Sequence, residues 1–560
     1  MLRGRGPQAK RSGEGVLYPR RERGFLNAKF FFNKLAPNFF PLRGNGGLGE
    51  ILPMAPLFNW LKKRAGGVLL HPTSLPSNQG IGTLGKSAFR FIDFLSACRL
   101  GLWQVCPLGP TGFGDSPYQC FSSFAGNPYL IDFELIAEAG LLEAEDLAPL
   151  AALPRERVDY GALWNAFFPV LKKLHANVVK NPGALKKFGD FEAFRQKNRE
   201  WLEGYALYSA LKNFYKGKPW YEWPAEARNF GSAKKLAFPP SVRADVEMFE
   251  IAQFLFFSQW KALRKYAFEH GVKIIGDTPI FVALDSADVW QNPEIFQLDK
   301  TGAPTAVAGV PPDYFSADGQ LWGNPLYNWD ALAKTDYNWW MRRLRANFEL
   351  YDIVRLDHFR GFYDYWSIPA DSPTAKTGRW ALGPGLAFFK SIQKNLGDVR
   401  LIAEDLGDMN DGVRKLLADS GLPGMAVLQF AFGGDASNLY LPHNIGSNTV
   451  AYPGTHDNNT CVGWYNSTSE HTRDHFRRYF WTDGKTPHWT LINAAFKAHA
   501  KIAVVAMQDI LGLGEAARFN EPGTAQRNWQ WRLTDAQLDE AFASHTGTLR
   551  ELAELSGRVE

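Results

Sequence analysis

Three acidic residues stand where short apolar runs of the sequence end. Asp357, Glu404 and Asp457 each follow such a run. Cleavage of a glycosidic bond needs one carboxylate to attack or stabilise the anomeric carbon and one protonated carboxyl group to protonate the leaving oxygen. If the three residues lie together, they could supply the carboxyl groups that this reaction needs.

Each acidic residue also has a purely structural explanation. An aspartate beside an arginine at a strand end, such as Asp357 near Arg355, often forms only an ion pair. Asp277, which ends another apolar run, could instead cap a turn. Three carboxylates at three run ends, in barrel order, favour the catalytic interpretation over three separate ion pairs.

The elements that would bring these residues together are predicted from short apolar runs that alternate with amphipathic helical stretches, which is the pattern of a parallel sheet. Eight strands are predicted, at residues 67–71, 102–107, 272–276, 352–356, 400–404, 425–430, 449–453 and 502–507. Eight such units predict an α/β fold, a (β/α)8 TIM barrel, whose catalytic residues gather at the carboxyl ends of the strands.

Three parts of the chain depart from a plain barrel. Residues 1–53 have many basic residues and several Gly and Pro, which predicts a disordered or non-native extension, translated from too early a start codon, before a catalytic unit at 54–560. Residues of about 133–262 have a helical pattern and predict an inserted helical subdomain. Residues of about 281–340, rich in Pro, Gly, Asp and Trp, predict a structured loop region over the active site.

The composition excludes several other classes of protein. A formal net charge of +5, from 62 basic and 57 acidic residues, makes a nucleic-acid partner unexpected. No apolar run is long enough for a membrane span. The four cysteines lie far apart without metal-ligand spacing, so we expect a reduced, cytoplasmic protein that holds no metal. The 19 Trp residues suit stacking on sugar rings, although most of them would also suit the core.

Three motifs of the sequence resemble conserved regions of the α-amylase clan, namely RLDHFRG, AEDLG and GTHDNN. Five further segments resemble glycoside hydrolase family 77, the 4-α-glucanotransferases or amylomaltases, in matching order: residues 71–85, 107–132, 276–290, 309–327 and 519–532. The resemblance extends from about residue 66 to the C-terminus. It implies a barrel without the C-terminal β-sandwich domain of typical α-amylases, since amylomaltases lack that domain.

The resemblance also implies roles for the acidic residues. Asp357 would be the nucleophile that forms a covalent glycosyl-enzyme, with Arg355 holding it in place by charge pairing. Glu404 would be the acid/base. Asp457, the third catalytic carboxylate, would grip sugar hydroxyl groups in the transition state. No cofactor is implied.

Further residues resemble the sugar-contacting positions of the family. Asp277 and His456 would bind the sugar that reacts. Tyr314 and Phe315 would lie on a loop that closes over bound glucan and excludes water. The remaining positions are two aromatic contacts and three residues of the opposite cleft wall: Tyr118, Trp322, Asn520, Pro522 and Trp529.

The activity implied is transfer of α-1,4-glucan segments by a retaining mechanism. The donors would be maltooligosaccharides, amylose, starch or glycogen chains, and the acceptor the 4-hydroxyl group of a glucan or of glucose. An α-1,4-glucan hydrolase of the same clan is the alternative, since it would use the same three carboxylates with water. A glucan-binding protein without activity would need a missing carboxylate, and none is missing. A nucleic-acid role would rest only on the basic first 53 residues.

Overall fold

A ring of eight parallel strands forms the centre of the fold. The computed structural model describes residues 55–312, 316–524 and 526–559, so the prediction for residues 1–53 lies outside the described part. The strands are β1 (Ala65–Leu69), β2 (Leu102–Gln104), β3 (Lys273–Thr278), β4 (Ala306–Val310), β5 (Gln320–Pro325), β6 (Ile353–Leu356), β7 (Asp364–Pro369), β8 (Arg379–Leu382), β9 (Leu401–Ala403), β10 (Gly424–Val427), β11 (Thr449–Tyr452) and β12 (Ile502–Ala506).

Eight of these strands follow one another around the ring in the order β10-β11-β12-β1-β2-β3-β6-β9, and each ladder pair is parallel. The ends of this series meet where the backbone N–H of Ala403 donates to the carbonyl of Pro423 (2.9 Å). All eight predicted strands are present, with ends shifted by a few residues. The predicted (β/α)8 barrel is therefore confirmed.

The barrel strands are nearly continuous apolar runs because both of their faces are covered. β12 is buried at all of its positions and so is β10, while β1 is buried everywhere except at Ala65. Gln104, Asp277 and Arg355 lie at or near the carboxyl ends of β2, β3 and β6.

The α-helices surround and extend this barrel. They are α1 (Lys86–Ala97), α2 (Phe133–Glu138), α3 (Ala148–Ala151), α4 (Tyr160–Lys180), α5 (Phe191–Lys197), α6 (Arg199–Phe214), α7 (Phe230–Ala233), α8 (Pro240–Glu269), α9 (Ala287–Gln291), α10 (Trp329–Lys334), α11 (Asn338–Leu350), α12 (Leu386–Leu396), α13 (Asp411–Ser420), α14 (Cys461–Ser467), α15 (Glu470–Phe480), α16 (Pro487–Lys497), α17 (Met507–Ile510), α18 (Asp535–Glu540) and α19 (Thr546–Leu555).

The long connection between β2 and β3 consists of a loop followed by helices α2 to α8 and the turns that join them. Its last helix, α8, holds a segment of the preceding loop through two buried glutamines. The side-chain amide of Gln253 bonds to both the N–H and the carbonyl of Gly126, and that of Gln259 does the same at Asp132. This paired bonding fixes the end of the loop 107–132, which carries Tyr118.

A second, antiparallel sheet lies in the connections after β3 and β6. Its strand order is β5-β4-β7-β8. β4 and β5 fall within the stretch 281–340, together with α9 and α10, so this stretch contains regular structure as well as loops. Val307, Ile368 and Ala375 form a small apolar cluster with Trp366 packed against it. The sheet thereby supports β5, the strand of Trp322.

The described residues after β12 form the helices α17 to α19, a short π-helical stretch before α19, and turns. Within the three described ranges, no helix combines the length and apolar character needed to cross a membrane. No cluster of three or more His, Cys, Asp or Glu side chains suited to a metal ion occurs in that same part of the chain.

Candidate active site

Four acidic residues meet at the carboxyl ends of the barrel strands. Asp277 is the penultimate residue of β3, Asp357 and Glu404 directly follow β6 and β9, and Asp457 lies in the loop after β11. The backbone N–H of Glu404 donates to the carbonyl of Leu356 (3.0 Å), which continues the pairing of β9 with β6. The sheet register therefore sets Glu404 beside Asp357.

Arg355 joins two of these carboxylates inside the barrel. Its position on β6 pairs in register with Asp277 on β3, and its side chain is 3% exposed. One terminal nitrogen lies 2.5 Å from Asp277 Oδ2 and the other 3.0 Å from Asp357 Oδ1. Burial opposes the charge of Arg355, but the two carboxylates outweigh it and raise its pKa. The guanidinium thus stays charged between them.

Glu404 is held by two backbone donors. The N–H of His358 bonds to its Oε2 (2.8 Å) and the N–H of Leu406 to its Oε1 (2.9 Å). Burial raises its pKa to about 7, and the negative charge of Asp357 acts in the same direction, while Arg355 and the two N–H groups act against it. A carboxyl group that titrates near neutral pH can both give and take a proton.

Asp457 lies in a second set of polar contacts. Its Oδ2 is 3.2 Å from His456 Nε2, and its Oδ1 accepts from the side-chain amide of Asn520 (2.7 Å). Arg518 donates to its backbone carbonyl (3.0 Å). Burial would raise the pKa of Asp457, but His456, the bond from Asn520 and the charge of Arg355 lower it overall, and Asp457 in turn raises the pKa of buried His456. Asp457 therefore carries its charge across the neutral range.

Tyr118 connects the two sets. Its hydroxyl donates to Asp277 Oδ2 (2.7 Å), and its ring stacks on that of His456 with centroids 5.0 Å apart and planes 18° apart. Trp529 lies 5.7 Å from the Tyr118 ring and 5.9 Å from that of His456. The aromatic group fixes His456 next to the carboxylates. Asp277 Oδ1 is buried without a hydrogen-bond partner among the described residues.

The remaining predicted residues differ in their placement. Trp322 lies on β5 with its ring 5.0 Å from that of His358, edge to face, and so borders the loop that follows Asp357. Pro522 is exposed, and no contact among the described residues ties it to the carboxylates. Tyr314 and Phe315 lie outside the described residues.

Two residues that sequence reasoning did not single out also belong to the site. Arg518 orders the loop that carries Asn520, because it bonds to the carbonyls of both Asn520 (2.7 Å) and Asp457. His71 is buried just after β1, and burial together with the charge of His456 lowers its pKa to about 3. Their sequence signal was that His71 opens segment 71–85 and that Arg518 directly precedes segment 519–532.

The comparisons with known proteins agree with this geometry. The family described as 4-alpha-glucanotransferase (glycoside hydrolase family 77) matches residues 70–538. The chain is 46% identical over 505 residues to a 4-alpha-glucanotransferase of Thermus thermophilus, covering 89% of this chain and 99% of the relative. It is 44% identical over 497 residues to one of Synechocystis, covering 88% of this chain and 98% of the relative.

Solved structures give the same result. An amylomaltase from Streptococcus agalactiae in complex with acarbose superposes with a TM-score of 0.84 and 38% identity, over 89% of this chain and all (100%) of that one. An amylomaltase from Corynebacterium glutamicum, 19% identical, shares the fold with a TM-score of 0.71 over 88% of this chain and 75% of its own. The chain belongs to the 4-alpha-glucanotransferase family, glycoside hydrolase family 77.

Proposed function

We propose that this 4-alpha-glucanotransferase works by double displacement with Asp357 as nucleophile and Glu404 as acid/base. The Asp357 carboxylate attacks the anomeric carbon while Glu404 gives its proton to the departing glycosidic oxygen, which leaves a covalent glycosyl-enzyme. Glu404 then takes the proton of the acceptor's 4-hydroxyl group, and that oxygen displaces Asp357. The configuration at the anomeric carbon is retained.

One observation carries this proposal: two carboxyl groups on neighbouring strand ends have opposite electrostatic environments. Asp357 lies 3.0 Å from the buried, charged guanidinium of Arg355. Glu404 has its pKa raised to about 7 by burial, which favours a protonated form. Such a division suits an attacking carboxylate beside a proton donor.

Asp457, His456 and Asp277 are proposed to hold the hydroxyl groups of the reacting sugar. Asp457 keeps its charge, and the buried Oδ1 of Asp277 has a free acceptor position among the described residues. A bond to a hydroxyl group that shortens in the transition state lowers the barrier rather than only tightening binding. Tyr118, stacked on His456, and Trp322, against His358, are proposed to supply aromatic surface for the sugar rings.

The donor chains are proposed to be maltooligosaccharides, amylose, starch or glycogen, with a glucan or glucose as acceptor. We assign the loop of Tyr314 and Phe315 to closure over the bound chain, on the basis of the sequence resemblance. Incubation with maltotriose tests the reaction. Glucose together with oligomers longer than maltotriose is expected; glucose and maltose alone would instead establish hydrolysis.

We place the enzyme in the cytoplasm because its four cysteines, Cys98, Cys106, Cys120 and Cys461, are free thiols. Two plant relatives, from Arabidopsis thaliana and Solanum tuberosum, carry the designation chloroplastic/amyloplastic. Fractionation of the native host followed by immunoblotting distinguishes the compartments. Recovery of the protein in an organelle fraction would contradict the cytoplasmic assignment.

A further inference from the structure

The seam between β9 and β10 is built differently from the rest of the barrel. No ladder joins these two strands in the described residues, and the backbone bond from Ala403 to Pro423 is the main-chain link between them. The N–H of Gly424 donates to the β11 side, to the carbonyl of Asn448 (3.3 Å). Because successive N–H groups of a strand point to opposite sides, the N–H of Met425 points into the seam.

A side chain, rather than a strand, satisfies that N–H. Asp405 Oδ1 accepts it at 2.6 Å. The fit is close, because a Cβ atom added to Gly424 would lie 2.4 Å from Asp405 Oδ2. A side chain at 424 would therefore push the carboxylate away, whereas the backbone angle there does not call for glycine.

Asp405 stands between the acid/base and one of the donors that hold it. Glu404 precedes Asp405, and Leu406, whose N–H bonds to Glu404 Oε1, follows it. Anchoring the Asp405 side chain on Met425 thus fixes the backbone turn that orients the Glu404 carboxylate. The anchor also reaches the other half of the site, since Met425 Sδ lies 3.4 Å from Nε of Arg355.

We propose that Asp405 is a positioning residue for Glu404: by closing the barrel seam on the N–H of Met425, it sets the acid/base in register with Arg355 and the nucleophile. This inference rests on the proposed role of Glu404. In this role Asp405 contacts neither the donor glucan nor the acceptor glucan. Its carboxylate takes the place of the backbone carbonyl that a paired strand would offer to the N–H of Met425.

Replacement of Asp405 should therefore disturb the proton transfer more than substrate binding. In Asp405→Ala, the turn loses its anchor and the bond from Leu406 N–H to Glu404 loosens. Because that bond favours the ionised form, its loss raises the pKa of Glu404 and moves the basic limb of the kcat/KM profile to higher pH. We expect kcat on maltotriose to fall by about tenfold or more, because a misplaced catalytic group slows the reaction. KM should change by less than about twofold.

Two further variants complete the test. Asp405→Asn keeps an oxygen for the Met425 N–H and should restore most of kcat and the wild-type pH profile. Gly424→Ala should reproduce the Asp405→Ala behaviour with Asp405 still present, because the new methyl group displaces the carboxylate. These two variants also decide the matter if Asp405→Ala does not fold.

Asp352 provides the matched control. Its Oδ2 accepts the backbone N–H of Ile274 (2.9 Å) at the opposite end of the same barrel, far along β6 from the carboxylates. Asp352→Ala should lower the melting temperature and leave the pH profile unchanged. If Asp405→Ala and Gly424→Ala behave only like Asp352→Ala, Asp405 is a structural seam residue and the inference is wrong.

Failure of this inference can be distinguished from failure of the proposed function. If the wild-type protein yields glucose and maltose but no oligomer longer than maltotriose, transfer is refuted. The rate of glucose release would still measure the effect of the Asp405 variants. If the kcat/KM profile of Glu404→Gln with an α-glucosyl fluoride keeps the basic limb of the wild type, the role of Glu404 is refuted, and this inference with it.

Discussion

Arg355 and Asp357 project from the same face of β6 and its extension, with Nη2 of the arginine 3.0 Å from Oδ1 of the aspartate. They do so because residues two apart on a strand point to the same side. The other terminal nitrogen is engaged by Asp277, so a planar two-sided donor is needed at this position.

Arg355→Lys should lower kcat by about 100-fold, because an ammonium group is a single point charge and cannot bridge two carboxylates as the guanidinium fork does. Steady-state kinetics with maltotriose measure this loss. Arg345→Lys, an exposed exchange on α11, is the control and should keep full activity. Equal activity of the two variants would exclude Arg355 from the active site.

Asp357→Asn should lower kcat for transfer by several orders of magnitude while the fold persists, because the attacking charge is removed at nearly constant volume. Activity and melting temperature are measured together. Asp371→Asn, at an exposed position after β7, is the matched control. Substantial residual turnover in Asp357→Asn would reject this residue as the nucleophile.

The pH dependence of kcat/KM should have a basic limb set by Glu404. Its pKa of about 7 means that the proton needed by the leaving oxygen is present below that pH and lost above it. Glu404→Gln should be inactive with maltotriose and retain reaction with an α-glucosyl fluoride, whose leaving group needs no proton. With that substrate the basic limb should be absent; its persistence would assign the limb to another group.

Glu404 also predicts a pH-dependent stability. Its folded pKa lies above the unfolded value, so its contribution to stability is complete below about pH 4 and is lost as the pH rises through about 7. The free energy of unfolding of the wild type should fall relative to that of Glu404→Gln by up to about 3 kcal/mol between pH 4 and pH 8. Urea titrations at both pH values measure this difference, and a constant difference would contradict the raised pKa.

Tyr118→Phe should remove one hydrogen bond to Asp277 and keep the ring stacked on His456. We expect a loss of about 1 kcal/mol of stability and a lower kcat, whereas Tyr118→Ala should also release His456 and lose more of both. Tyr266→Phe is the control, because its hydroxyl likewise donates to a carboxylate, that of Asp93 (2.6 Å), on the outer helices. A similar kcat in all three variants would remove Tyr118 from the site.

A protein that begins at Met54 should match the full chain in melting temperature and transfer rate. The basic, Gly-rich composition of residues 1–53 offers little apolar surface for a core, and the barrel strands and the site carboxylates all lie beyond them. Differential scanning calorimetry and the maltotriose assay test this expectation. A melting temperature lowered by several degrees would mean that the first 53 residues contribute to the fold.

Local pattern in the sequence determined the barrel strands and the strand ends that carry Asp357, Glu404 and Asp457. Continuous apolar runs report burial on both faces, and parallel strands bring their carboxyl ends together, so this part needs no knowledge of distant contacts. The antiparallel sheet escaped prediction because its strands lack such runs: β8 is mostly exposed, and β4 contains the small residues Ala306, Ala308 and Gly309.

Only the tertiary structure decided how the site is held. The sharing of Arg355 between two carboxylates follows from the register of β3 against β6, and the stack of Tyr118 on His456 joins loops that are 338 residues apart in the chain. The closure of the seam by Asp405 depends on how β9 and β10 meet. Register and closure are relations between distant segments, and local periodicity carries no information about them.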